Sequence, residues 1–96
     1  MIIKLSPQRR DDELRVSKRS DVLTINGERF DFRPVTEGAT LPAGAISCAW
    51  IAGDVTRIDG ELVVPLILPH GPEATAAALF PADIVSPSDG NLELPE

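Results

Sequence analysis

The chain has little of what small proteins use for stapling or for catalysis. Its one cysteine, Cys48, forms no internal disulfide, and nothing points to an oxidising compartment. One histidine, His70, and that single cysteine cannot supply the closed four-ligand set of structural zinc. Tyrosine is absent, and Trp50, Phe30, Phe32 and Phe80 are the only aromatics, so the core must be mainly aliphatic. The longest apolar run, from Leu62 to Pro69, is broken by Pro65 and falls far short of the ~20 residues that span a bilayer. Met1 to Ser6 lacks the apolar segment of a signal peptide. The glycines are scattered as turn residues and form no phosphate loop, there is no EF-hand pattern, and no internal repeat is visible. These absences lead to the expectation of a soluble, cytoplasmic protein with no membrane partner and no cofactor.

What is present fits one small domain over residues 1–96. Nine prolines and seven glycines cut the chain into short elements and leave no room for long helices. Charge is uneven. Residues 1–33 hold eight basic and six acidic side chains, whereas residues 34–96 hold only Arg57 against nine acids, for a net charge of −6. Such a balance disfavours nucleic-acid binding. The basic residues Arg9, Arg10, Arg15, Lys18 and Arg19 have no interleaved aromatics for stacking, and Asp11, Asp12 and Glu13 interrupt them.

Ile2 to Leu5 reads as a short strand stopped by Ser6-Pro7, followed by a charged loop over about 7–20 in which opposite charges neutralise locally. Leu14 to Lys18 alternates and is a candidate short strand. Val22 to Phe32 carries the clearest local signal, Asn26-Gly27 between two alternating runs. With a two-residue or a four-residue loop, Leu23, Ile25, Phe30 and Phe32 share one face while Thr24, Arg29, Asp31 and Arg33 share the other. Leu41 to Ala45 holds one helical turn opened by Pro42.

Residues 46–70 read as a long central hairpin turning at Asp59-Gly60. Proline lacks an N–H, and a two-residue turn would set Pro65 opposite Asp54 at a hydrogen-bonded site. A longer loop or a bulge at Gly53-Asp54 is therefore required, and the longer loop would leave the outer side of strand 61–68 as an edge. That strand is apolar on both faces, which calls for cover on each. Residues 73–80 read as a short helix anchored by Leu79 and Phe80 and stopped by Pro81. Ala82 to Ser86 is a short strand, and residues 91–96 are a last strand or a frayed tail. The fold class is mainly β: a small antiparallel sandwich or partly open barrel of hairpins with one short helix, the alternative being α+β.

Cys48 and His70 are the only pair that could act as nucleophile and base, and both lie at the open end of the central hairpin. No third residue is marked to orient the imidazole, and Ala49-Trp50 beside Cys48 reads as core. Trp50 is a candidate interface anchor or a core residue, and Pro65, Leu66 and Leu68 are candidate contacts along the expected edge.

Leu23 to Glu28, Phe30 to Phe32, Glu37 to Pro42, Arg57 to Gly60, Leu66 to Gly71 and Phe80-Pro81 resemble, in order and spacing over about 22–86, a group of small proteins encoded in phage and prophage tail regions. The group has no established activity, so the resemblance assigns no catalytic residue. It implies a non-enzymatic structural or protein-interaction module, in the cytoplasm of the host cell or associated with the virion, working with phage tail or tail-fibre components or with further copies of itself. The alternative is a small ligand-binding domain or Cys48/His70 hydrolase.

Overall fold

Three hairpins with two-residue turns build most of the structure, a computed structural model that describes residues 1–94. The elements in order are β1 (Ile2–Arg9), β2 (Val16–Arg19), β3 (Val22–Ile25), β4 (Glu28–Asp31), β5 (Thr40–Leu41), a 3₁₀ turn (Ala43–Ala45), β6 (Val55–Ile58), β7 (Glu61–His70), α1 (Ala76–Leu79), β8 (Ile84–Val85) and β9 (Gly90–Asn91). They form a five-stranded sheet in the order β5-β6-β7-β1-β8 and a four-stranded sheet in the order β4-β3-β2-β9. The fold is mainly β, a two-sheet sandwich, and among the described residues there is one short helix and no barrel closes.

Asn26 and Gly27 both take positive φ, at 49° and 85°, as do Asp59 and Gly60 at 52° and 78°. This is the turn geometry whose twist matches paired strands, and Asn, Asp and Gly tolerate it best. The β3–β4 register places Leu23 opposite Phe30 and Ile25 opposite Glu28, the two-residue alternative read from the sequence. The Asp59-Gly60 turn is secured from outside: both its amides donate to the Glu37 carboxylate, at 2.6 and 3.0 Å. A third turn, Ser20-Asp21, joins β2 to β3 and converts the end of the charged stretch into a meander. There the Asp89 carboxylate accepts from the Ser20 amide at 3.0 Å and from Lys18 Nζ at 2.8 Å.

Two prolines sit inside strands. β1 does not stop at Ser6-Pro7; it runs to Arg9, paired in parallel with β7 from Ile2↔Val63 to Arg9↔His70. Arg10 N donates to His70 O and Ser86 N donates to Met1 O, so even-numbered amides in this strand face β7 and odd-numbered ones face outward. Pro7 is odd, and its missing donor costs the β1–β7 ladder nothing. The charged loop is thereby shortened to residues 10–15.

On β7 the odd-numbered residues face β6. Ala52 N donates to Pro65 O and Ile67 N donates to Trp50 O, each at 2.9 Å. The turn is two residues long, so the bulge rather than the longer loop resolves the conflict at Pro65. Regular β6–β7 pairing ends near Val55 and resumes only at the Ile51↔Leu66 bridge. The chain is consequently not extended from Ile46 to Ile58, and β6 is confined to Val55–Ile58. Nor is the outer side of β7 an edge, because β1 occupies it.

The core lies between the sheets. Ile3, Val55, Leu62, Val64 and Leu66 from the first meet Val16, Leu23 and Ile25 from the second, with Phe32, Val35, Trp50 and Ile51 filling in from the connections. Full burial of a side chain such as Leu66 or Ile3 stabilises by about 2 kcal/mol. β7 alternates between buried and half-buried residues along its length, so only one face is sealed, in place of the two-sided burial its composition suggests. The C-terminal stretch is tied down rather than frayed as far as residue 94. β9 pairs with β2, and Leu92 and Leu94 pack against the core; residues 95–96 of the expected tail lie outside the described residues. Among the described residues no helix is long and apolar enough to cross a membrane.

Candidate functional site

The sequence-derived candidates divide between core and rim. Trp50 is buried and packs in the core, covered by Arg10, whose guanidinium carbon lies 4.1 Å from the ring centroid. Cys48 is half-buried against the same core. His70 ends β7 on the rim with its Nδ1 3.0 Å from the Gly71 carbonyl oxygen. Among the described residues no hydrogen bond joins the thiol to the imidazole, and no three His, Cys, Asp or Glu side chains converge to hold a metal. Beside His70, the 10–15 loop and Pro69 frame an open cleft of about 580 Å³. Its charges are paired locally: Arg9 with Asp11 at 2.6 Å and Arg10 with Asp12 at 2.7 Å.

Leu66 and Leu68, proposed from sequence as contacts on an exposed edge, are buried, and Pro65 lies between β1 and the bulge at Gly53. The true edges are elsewhere, and each is blunted. β5, β8 and β9 are two residues long, β4 carries Glu28 and Arg29, and the outer edge of β1 beyond Ile3 carries Pro7 and Arg9. Short, charged or proline-bearing edges resist strand addition, so contacts by this domain are better made through side chains.

Two surfaces stand out instead. The first is the outer face of the second sheet. The β2–β3 and β3–β4 registers bring Ser17, Arg19, Val22, Thr24, Arg29 and Asp31 to this face, opposite core-facing Val16, Leu23 and Ile25. All of these but Asp31 line, with Lys18, Arg33 and Asp89, an open groove of about 830 Å³. Arg33 holds Asp31 through hydrogen bonds from Nε and Nη2 and from its own amide, which pulls the Asp31 carboxyl down to about 2. Lys18 and the Ser20 amide lower Asp89 likewise. Arg19 and Arg29 have no carboxylate within ion-pair distance among the described residues, so the groove keeps an excess of positive charge on an acidic protein.

The second surface is the segment between β7 and β8. The helix starts later than its composition suggests, at the Thr75 cap, whose side chain accepts from Ala78 N at 3.3 Å. Ala78, not Leu79 or Phe80, is its buried anchor. Phe80 is 83% exposed and Val85 65% exposed, with Leu79 also at the surface. Pro81 ends the helix directly after Phe80. Arg29 and Arg33 of the groove were readable as part of the polar face of the Asn26-Gly27 hairpin; the exposure of Phe80 had no local signal.

No family profile, curated protein or solved structure matches this chain, so its relationships rest on its own residues and fold.

Proposed function

We propose that this domain is a non-enzymatic protein-interaction module, working in the tail-assembly setting implied by the resemblance of residues 22–86 to phage and prophage tail-region proteins. The observation that carries the reading is Phe80, 83% exposed at the end of a helix whose only buried residue is Ala78. Single exposed aliphatic residues are ordinary, but a near-fully exposed Phe with Leu79 beside it and Val85 on the next strand is the composition of a contact centre. The blunted sheet edges support contact through side chains rather than added strands. Cys48 packed on the core and His70 turned to the Gly71 carbonyl give the hydrolase alternative no geometric support.

The test is binding of the purified domain to purified phage tail and tail-fibre proteins. Phe80→Asp is expected to weaken binding at least about tenfold, as for a central aromatic anchor, without lowering the melting temperature. Wild-type binding that is indifferent to Phe80→Asp would remove this surface, and absence of binding to any such protein would remove the reading.

A further inference from the structure

Resting on the interaction-module reading, we infer that the arginine groove on the second sheet is the docking site for a second copy of this chain, which inserts its Phe80–Asp83 segment. The two surfaces are complementary. The groove presents Arg19 and Arg29 with no ion-pair partner among the described residues, over an apolar floor at Val22. The segment 71–85 presents an exposed Phe80 with Asp83 three residues on, includes Glu73, and contains no basic residue. A phenyl ring stacks on guanidinium planes and on arginine stems, while a flanking carboxylate pairs with the same cations. Asp83 is only loosely engaged at home, 3.6 Å from Lys4 Nζ with both side chains about half exposed, so re-pairing with an arginine costs little.

Geometry places the contact between chains rather than within one. The segment leads into β8, the edge strand of the first sheet, whereas the groove lies on the outer face of the second. One copy offers its segment to the groove of the next, a heterologous contact that continues into a ring or filament unless two copies satisfy each other. The uneven charge of the sequence, basic before Pro34 and acidic after it, is the same complementarity read along the chain.

The experiment is light scattering and sedimentation of the full chain over a concentration series, at low salt and at about 0.5 M salt, where exposed charge pairs are screened. Self-association that weakens with salt is expected. Arg19→Glu with Arg29→Glu, and separately Asp83→Lys, should each weaken it by about tenfold or more, as should Phe80→Asp. Mixing the Glu-bearing groove variant with D83K should restore a mixed complex, a rescue that misfolded variants cannot give. A wild-type chain that stays monomeric at low salt overturns the inference, as does an oligomer indifferent to all these changes. A monomeric chain that still binds tail proteins through Phe80 sinks the second-copy assignment and leaves the interaction reading standing; loss of both sinks both.

Discussion

Arg57 Nη2 donates to Asp21 Oδ2 at 2.9 Å, joining β6 of one sheet to the β2–β3 turn of the other. The same guanidinium donates from Nε to the Val35 carbonyl at 2.6 Å and from Nη1 to the Gly60 carbonyl at 3.3 Å. The lone basic residue of the acidic two-thirds of the chain therefore pins both sheets, the connection after β4 and the β6–β7 turn. The pair is neither fully buried nor fully exposed, its side chains being 15% and 31% accessible. Its worth should lie between the 0–1 kcal/mol of surface pairs and the 3–5 kcal/mol lost on breaking a buried one.

Arg57→Met is accordingly expected to lower unfolding free energy by about 2 kcal/mol in urea denaturation, since it leaves the Val35 carbonyl and the Asp21 carboxylate without this donor. Asp21→Asn should cost less, because two of the three hydrogen bonds remain. Equal losses would mean that the Arg57–Asp21 pair alone carries the effect; a loss under about 0.5 kcal/mol for Arg57→Met would show that the sheets hold together without it.

Gly53 and Pro65 should be energetically coupled. A Cβ at position 53 would lie 3.3 Å from Pro65 Cγ, tighter than ordinary packing, so one of the two must yield. Gly53→Ala should destabilise by about 1 kcal/mol in the wild-type chain and by clearly less in a Pro65→Ala background. Additive losses in that double-mutant cycle would refute the contact.

Acid should loosen the groove in a defined window. Arg33 stabilises the charged form of Asp31 and brings its carboxyl to about 2, below the ordinary value near 3.9. A folded-state value below the unfolded one means that the stabilisation is fully present above pH ~4 and is lost as pH falls toward ~2. Because Asp31 is exposed, the effect should be small and weakened by salt. NMR titration should place Asp31 below a carboxylate in Arg33→Ala, and Asp31→Asn should flatten the dependence of stability on pH in that window. A midpoint near 4 for Asp31 would show that the pair does not persist in solution.

Local chemistry made the turns legible and left the long-range pairings hidden. Asn26-Gly27 and Asp59-Gly60 declare positive φ through residue type, and Pro65 forces a bulge because its missing donor is a local fact. The parallel pairing of β1 with β7 joins residues about sixty positions apart, and no adjacent residue records it. It decides much of what the sequence misplaced: it extends β1 past Pro7 and covers the β7 edge that Pro65 suggested was free, while Leu66 and Leu68 are buried on the alternating inner face of that strand. Phe80 was misplaced for a related reason. The helix is one turn long and begins at Ala76 rather than at Glu73, and with Ala78 turned inward, Phe80 two residues on falls on the opposite side and faces out.

Asn26 shows how one turn residue can serve a second purpose. Its φ of 49° suits Asn, while its side chain reaches back to the charged loop: Oδ1 accepts from Arg15 N at 2.7 Å and Nδ2 donates to Glu13 O at 3.0 Å. Its own amide donates to Arg15 O at 2.8 Å, so three bonds fasten the loop that carries Arg10 over Trp50. Asn26→Gly keeps the backbone geometry and removes the two side-chain bonds; Asn26→Ala also imposes strain at positive φ. Asn26→Gly should cost about 1 kcal/mol, with Asn26→Ala costing up to about 1 kcal/mol more. Amide exchange at Arg15 should quicken in both variants relative to β7, because only the loop loses its fastening. Unchanged exchange at Arg15 in Asn26→Gly would show that the loop is held by the Arg9–Asp11 and Arg10–Asp12 pairs instead.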